Sequence, residues 1–104
     1  MSSRTDIFRM MLQSDPDNAV VWFGLAKECE KEGRHDEVVE ALTEYLGRAD
    51  DEGNAYGMLA RAYTRLGNRE AARRSYERGA EVALAHGHPS MAEEYRATLE
   101  SEFE

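Results

Sequence analysis

Few side chains in this sequence are of the types that perform covalent or metal chemistry. Cys29 is the only cysteine, and the only histidines are His35, His86 and His88. Catalysis needs such groups in a set, for example a nucleophile beside a base or several metal ligands at helical spacing. The sequence contains no Gly-rich phosphate loop, nucleophile elbow or histidine zinc motif. We therefore predict that the chain is not an enzyme and needs no cofactor.

The reactive residue types each have a simpler structural interpretation. His86-Gly87-His88 offers two imidazoles without a clear third ligand nearby, and Pro89 follows directly. A transition-metal site normally takes more protein ligands than that, so a solvated turn is predicted instead of a metal site. Cys29 falls on an apolar helix face, where a cysteine usually fills the core.

Two pairs of basic residues are more informative. Lys27 with Lys31, and Arg61 with Arg65, are each four residues apart, so each pair places like charges together on one helix face. Both lysines of the chain belong to this set, although the formal net charge is -8. A repeated repulsion of this kind favours an anionic partner, such as an acidic peptide or a C-terminal carboxylate. The competing interpretation is that these cations only offset neighbouring glutamates and keep the surface soluble.

An internal repeat positions these side chains. A shift of 34 residues superposes Trp22-Phe23-Gly24-Leu25-Ala26 on Tyr56-Gly57-Met58-Leu59-Ala60, and the same shift places Gly33 on Gly67. Apolar residues in each copy recur at i, i+3, i+4 and i+7, which is one face of a helix. Each glycine then interrupts the pattern where the end of a helix is expected. The sequence therefore predicts two helical hairpins.

The periodicity predicts six helices, over residues 4–13, 18–32, 35–48, 52–66, 69–86 and 89–102. Asn68 suits the N-cap of the fifth helix. Pro89 suits the first turn of the last helix, and Ser90 with Glu93 is predicted to form a capping box there. The apolar seam of that helix is predicted to be Met91, Tyr95 and Leu99. Because two repeats alone are too few for a stable stack, the first and last helices are expected to cap it.

These residues resemble the tetratricopeptide-repeat family, whose pattern is W-x2-L-G-x2-Y, then A, F and P, over 34 residues. The matching residues are Trp22, Leu25, Ala26, Cys29, Val38 and Leu42 in the first repeat and Tyr56, Leu59, Ala60, Tyr63, Ala72 and Tyr76 in the second. Asp15-Pro16 resembles the end of a preceding partial repeat, with Phe8 in its aromatic position. Asp50 departs from the pattern, because it replaces the terminal proline of the first repeat.

The resemblance implies an all-α fold of about six helices, in which antiparallel helix pairs stack into a right-handed superhelix, a TPR-like α-solenoid. It also implies a single domain over residues 1–104. The expected parts are a partial repeat or N-terminal capping helix at 4–16, repeats at 19–52 and 53–86, and a C-terminal capping helix at 89–102.

In this family the first helices of successive repeats line a concave groove that receives peptides. Carried over position by position, the resemblance assigns this groove to Phe23, Lys27, Lys31, Asn54, Met58, Arg61 and Arg65. Gly24 and Gly57 are expected to leave an open floor, with room for a bulky ligand side chain or for one of the protein's own helices. A chaperone-type carboxylate clamp is not predicted, because Lys27 and Met58 stand where that clamp has asparagines.

Composition limits the partner and the compartment. A net charge of -8 and a pI of about 4.9 disfavour nucleic acid and anionic membranes as partners. One cysteine and a start without a signal-peptide apolar region favour a cytoplasmic location. The predicted function is an adaptor or scaffold, monomeric or weakly dimeric, that binds a protein or peptide. The alternative is a structural homo-oligomer that buries its groove or repeat end against another copy.

Overall fold

The chain folds into helices only. The computed structural model describes residues 3–103, and this range contains six α-helices and no β-strand. The helices are α1 (Arg4–Ser14), α2 (Ala19–Lys31), α3 (His35–Leu46), α4 (Asn54–Arg65), α5 (Arg69–Ala85) and α6 (Pro89–Glu102). The predicted all-helical class is confirmed, and each predicted helix end lies within two residues of the observed one.

The helices belong to two compact units, residues 1–50 with α1–α3 and residues 51–104 with α4–α6. In the first unit α2 packs against α1 and α3, and in the second α5 packs against α4 and α6. Gly33 and Gly67 lie in the three-residue turns of the two hairpins and have φ of 72° and 78°. These left-handed conformations close the preceding helices as predicted, and such short turns make the paired helices antiparallel. The single domain over 1–104 and its repeat bounds stay predictions.

The N-terminal caps of α5 and α6 can be compared with those predicted from the sequence. Asn68 accepts a hydrogen bond from the Ala71 backbone N–H at 3.2 Å, so its predicted N-cap role is confirmed. The predicted capping box of α6 is wrong: His88 is the N-cap, without a side-chain cap bond, and Ser90 lies inside the helix. Pro89 explains the difference, because its fixed φ suits the first helical position and leaves the preceding residue as the cap.

The start of α4 is built by a carboxylate that comes before the helix. One oxygen of Asp51 accepts hydrogen bonds from the backbone N–H groups of Gly53, at 2.8 Å, and Ala55, at 3.0 Å. Gly53 itself has φ of 124°, a conformation that L residues rarely adopt. The helix therefore begins at Asn54, two residues later than predicted.

Each unit has its own buried residues. Leu25, Cys29 and Leu42 are buried in the first unit, and Cys29 carries a free thiol. The cluster in the second unit consists of Ala60, Tyr76, Ala80, Ala83, Ala92 and Tyr95, with Met91, Leu99 and Phe103 packed against it. The interpretation of Cys29 as a core residue and the predicted seam of α6 are both confirmed. Among the helices of residues 3–103, none has the length and apolar character needed to cross a membrane.

Candidate functional site

Three of the predicted groove residues lie on α2, and we call Phe23, Lys27 and Lys31 the α2 strip. The Lys27 ammonium nitrogen is 5.8 Å from the centroid of the Phe23 ring. The Phe23 ring is half-buried and lies 4.9 Å, between centroids, from the ring of Tyr45 on α3. Packing against Tyr45 thus fixes the aromatic base on which the exposed Lys27 side chain rests.

Lys31 has a local partner within the same helix. Its ammonium nitrogen is 3.4 Å from a carboxylate oxygen of Glu28, and that oxygen also lies 3.1 Å from Nε of Arg4. Lys31 occupies the last turn of α2, where a cation complements the helix dipole. Lys31 is therefore exposed but also stabilises α2 through its contacts within the helix. Lys27 instead contacts the aromatic ring of Phe23.

The remaining exposed positions lie on α4, and we call Asn54, Arg61 and Arg65 the α4 strip. Asn54 is the first residue of α4 and Arg65 its last, and all three side chains are exposed. Burial raises the pKa of the phenols of Tyr76 and Tyr95, and the positive charge of Arg61 opposes both rises. Arg61 thus brings a cation next to the aromatic cluster of the second unit.

Met58 does not belong to either exposed strip. Its side chain is only 5% exposed, and Ala55 and Ala62, three residues before and four after it, are buried as well. Residues at this spacing share one helix face, so Met58 lies on the core face of α4. The sequence-based assignment of Met58 to a groove surface is corrected accordingly.

The two glycines expected to leave an open floor are covered by the protein's own aromatic residues. A Cβ atom at Gly24 would lie 3.1 Å from the ring of Phe8 on α1. A Cβ at Gly57 would lie only 2.5 Å from the hydroxyl oxygen of Tyr95 on α6. The sequence left open whether a ligand side chain or another helix of the same protein fills the space above these glycines. In the structure α1 fills it at Gly24 and α6 fills it at Gly57.

The histidine pair before α6 serves the fold of the turn. The His86 ring nitrogen Nδ1 lies 2.9 Å from the carbonyl oxygen of Val82, and the His88 imidazole hydrogen-bonds to Glu52. The bond from His88 lowers the pKa of the Glu52 carboxyl. Within residues 3–103 no three His, Cys, Asp or Glu side chains come together in a group that could hold a metal ion.

A surface depression that the sequence analysis missed lies between α4 and α5, and we call it the α4–α5 pocket. Its volume is about 190 Å³, and its lining consists of Tyr56, Leu59, Tyr63, Ala71, Arg74, Ser75 and Arg78. Helical spacing puts Tyr56, Leu59 and Tyr63 on the side of α4 opposite Arg61 and Arg65. The pocket is therefore a different surface from the α4 strip. The signal for it in the sequence is the change from glutamates at 40 and 44 to arginines at the equivalent positions 74 and 78.

The hairpins α2–α3 and α4–α5 repeat with a period of 34 residues, which is typical of helical-repeat proteins. Residues 53–86 match the family model described as tetratricopeptide repeat. The predicted resemblance is thereby confirmed over these residues, which form a tetratricopeptide repeat. Repeats of this family typically bind protein partners, and the proteins that carry them are generally non-enzymatic scaffolds. Family and fold together indicate a protein–protein interaction module.

Solved structures of similar fold include one that matches over most of the chain. The crystal structure of MamA, a protein that contains tetratricopeptide repeats, matches with a TM-score of 0.67 and 19% sequence identity. The match covers 91% of this chain and 64% of the MamA chain, so this chain spans less than two thirds of that protein. At this identity the likeness establishes the fold. No curated protein sequence matches the chain.

Proposed function

We propose that this protein is a non-enzymatic adaptor, and that anionic segments of partner proteins bind at the α2 strip and, as a separate site, at the α4 strip. The observation that carries the proposal is the exposure of Lys27, Lys31, Arg61 and Arg65 at equivalent positions of the two repeats. The proposed location is the cytoplasm, because a reducing compartment suits a chain whose single cysteine is a free thiol.

Repulsion between the neighbouring cations of each strip is the physical reason to expect an anionic ligand. In an isolated helix each pair of like charges four residues apart costs a few tenths of a kcal/mol, and the Glu28 carboxylate beside Lys31 offsets part of that cost in α2. Carboxylates of a bound peptide would reduce the remaining repulsion and add charge-assisted hydrogen bonds. Phe23 supplies apolar area directly beneath Lys27, so a peptide with an apolar residue beside its acids fits the α2 strip best. A short segment on such a surface buries little area, and we expect dissociation constants of about micromolar order.

The test is an amide NMR titration of the full chain with synthetic octapeptides that carry several Asp or Glu residues around one Leu or Phe. We expect saturable shifts at residues of the α2 or α4 strip, weakening as ionic strength rises. The informative variants are Lys27→Glu/Lys31→Glu and Arg61→Glu/Arg65→Glu. The matched control is Arg73→Glu/Arg96→Glu, which makes the same charge change at exposed positions on α5 and α6.

The proposal fails if no acidic peptide shifts the strip residues. It also fails if peptides with Asn and Gln in place of Asp and Glu bind equally well, because the cations would then play no part. Loss of binding in the control variant as well as in the strip variants would indicate a response to net charge only, and would equally contradict a localised site.

A second candidate function, structural self-association, is favoured by an apolar stripe on α1. Ile7, Met10 and Met11 are 48%, 63% and 44% exposed, and their spacing puts them on one face of the helix. Light scattering over a wide range of concentration tests it, with Met10→Glu as the informative variant. A stable dimer that Met10→Glu dissociates, without any peptide response at the strips, would place self-association first. A monomer at all concentrations would exclude it.

A further inference from the structure

Helix α1 corresponds to the second helix of each hairpin. The 34-residue shift places α1 on α3 and α3 on α5, and it carries Phe8 onto Leu42 and Tyr76. The Phe8 ring lies against Gly24 of the helix that follows, α2. The Tyr76 ring likewise lies 5.7 Å, between centroids, from the ring of Tyr95 on the helix that follows α5. One side of α1 therefore packs as the second helix of a hairpin does.

The other side of α3 and of α5 faces the first helix of the same hairpin. Tyr45 of α3 lies 4.9 Å, between ring centroids, from Phe23 of α2. At the equivalent position of α5, a Cβ added to Gly79 would lie 2.8 Å from the Cβ of Tyr56 on α4. In both hairpins this side of the second helix is therefore covered by the helix that precedes it.

The equivalent positions of α1 are open to solvent. They are Ile7 and Met11, which we call the α1 outer face, and they are 48% and 44% exposed. Ile7 corresponds to Ala41 and Ser75, which are only 1% and 7% exposed. Helix α1 is the first helix of the described residues 3–103, so no earlier helix in that range pairs with it.

The two complete hairpins show what kind of element fits the α1 outer face. In each of them an antiparallel helix covers this side, and it carries an aromatic residue, Trp22 or Tyr56, followed three and four residues later by Leu and Ala. The alanines, Ala26 and Ala60, are fully buried, and their small size lets the paired helices approach closely. An aromatic ring beside the Met11 thioether is also a favourable contact. An amphipathic helix with this pattern therefore suits the face.

A charge at the edge of the face indicates the polar residues of that helix. Arg4 lies one turn before Ile7, and its side chain is 72% exposed, whereas the equivalent Val38 and Ala72 are fully buried. The Arg4 Nε is 3.1 Å from a carboxylate oxygen of Glu28. A guanidinium has five N–H donors, so Arg4 can also bind a carboxylate of an occupant.

Of the two first helices, α2 has the charges that match Arg4. A helix antiparallel to α1 places its C-terminal half beside the N-terminal half of α1. Residues 27–32 of α2 and its C-cap contain three glutamates and two lysines, whereas the equivalent residues 61–66 contain two arginines and no acidic residue. An occupant with glutamates in its C-terminal half, as in α2, is therefore electrostatically complementary to α1.

We propose that the α1 outer face is a docking site for an amphipathic helix of a partner protein, which completes α1 into a helical hairpin. The bound helix lies antiparallel to α1. Its aromatic residue and its Leu-Ala pair contact Ile7 and Met11, and carboxylates in its C-terminal half contact Arg4. This site is separate from the α2 and α4 strips and does not depend on binding there.

The test uses a probe with the sequence of α2. It is an acetylated and amidated peptide of residues 17–33 that carries Cys29→Ala, and its control also carries Trp22→Ser and Leu25→Ser. Amide NMR titration of the full chain should give saturable shifts at Ile7 and Met11 with the probe. We expect the control peptide to bind at least about tenfold more weakly, because it has lost two large apolar side chains.

A second control peptide tests the charges. It is the probe with all three glutamates of its C-terminal half replaced by glutamine, and it should bind about threefold more weakly because Arg4 loses its carboxylate partners. The loss should become smaller as ionic strength rises, since the contact is exposed. Equal affinity of this peptide and the probe at low salt would contradict the role of Arg4.

Variants of the chain localise the binding. Ile7→Glu/Met11→Glu should weaken the probe at least about tenfold, because carboxylates replace the apolar contact. The matched control is Gln13→Glu/Ser101→Glu, which adds the same two charges at exposed positions outside the face and should change the affinity by less than about twofold.

The site can be separated from the proposed function. Lys27→Glu/Arg61→Glu changes one cation in each strip and should leave the shifts at Ile7 and Met11 and their midpoint unchanged within about twofold. A response of α1 without a response of the strips, or the reverse, would support one proposal and contradict the other. The two proposals therefore fail independently.

Several results would overturn the α1 proposal. One is the absence of saturable shifts at Ile7 and Met11 with the probe. Others are equal affinity of the Trp22→Ser/Leu25→Ser peptide and full affinity in the Ile7→Glu/Met11→Glu variant. Shifts at the α1 outer face that follow protein concentration without peptide would assign the face to a second copy of the chain. Nuclear Overhauser contacts to Met11 from another segment of the same molecule would assign it to the chain's own fold.

Discussion

The Tyr95 hydroxyl on α6 donates a hydrogen bond of 2.9 Å to the carbonyl oxygen of Gly53, just before α4. The same phenol ring lies against Gly57 of α4 and Gly79 of α5, where added Cβ atoms would come within 3.0 Å of it. Tyr95 therefore joins all three helices of the second unit. The absence of side chains at the two glycines makes this approach possible.

Tyr95→Phe should lower the free energy of unfolding by about 1–3 kcal/mol, because it leaves the buried Gly53 carbonyl without its donor while the ring stays in place. Urea unfolding of the variant and the wild type measures the difference. Tyr63→Phe is the matched control, since that side chain is half-buried, and its effect should stay within about 0.5 kcal/mol. Equal effects of the two substitutions would contradict the assigned role of the Tyr95 hydroxyl.

Gly57→Ala should destabilise the protein by about 1–3 kcal/mol, because the new methyl group would be 2.5 Å from the Tyr95 hydroxyl oxygen. Gly47→Ala provides the contrast. There the Cβ would meet only ordinary contacts at 3.6 Å, and φ of -76° suits any residue. The second substitution should stabilise the chain by up to about 1 kcal/mol through the unfolded state. Thermal unfolding of both variants measures the difference, and a neutral Gly57→Ala would refute the close approach.

Asp51→Ala should cost about 0.5–2 kcal/mol, because two backbone N–H groups at the start of α4 lose their acceptor. Asp51→Asn retains a side-chain oxygen and should recover most of that loss. Urea midpoints of the three proteins give the comparison. If Asn were as destabilising as Ala, the negative charge of Asp51 and not its hydrogen bonds would explain the effect.

Alkaline pH should reduce the stability that Cys29 contributes. Burial is the main cause that raises the pKa of the Cys29 thiol above its ordinary value of 9.0, with the charge of Glu37 adding to it. The unfolded chain then ionises first, so the contribution of the neutral thiol is complete below the ordinary pKa and is lost as pH rises through the folded pKa. The tyrosine phenols with raised pKa are common to the wild type and Cys29→Ala, and they cancel in the comparison.

The measurement is the difference in unfolding free energy between the wild type and Cys29→Ala at about pH 8 and pH 10. The difference should shift against the wild type at the higher pH. A difference independent of pH would mean that the thiol titrates alike in both states, which its complete burial in the folded chain contradicts.

Much of the local architecture follows from periodicity in the sequence. Apolar spacing of three and four residues located all six helices, and the 34-residue shift located both turn glycines, Gly33 and Gly67. These features depend on neighbours within one helical turn or on backbone conformations that glycine adopts easily. For the same reason the exposed cations at 27, 31, 61 and 65 could be identified from the sequence.

Which side of each helix is covered was decided only by tertiary packing. Met58 and Gly57 were predicted to face a groove, yet Met58 is buried and Tyr95, from a helix far along the chain, covers Gly57. The α4–α5 pocket likewise depends on how Tyr56 and Tyr63 lie against the side chains of α5. Periodicity defines a face but not its neighbour, because the contact partner is set by residues distant in sequence. The sequence alone thus determined the repeat and its helices, and the tertiary structure decided which surfaces remain available for binding.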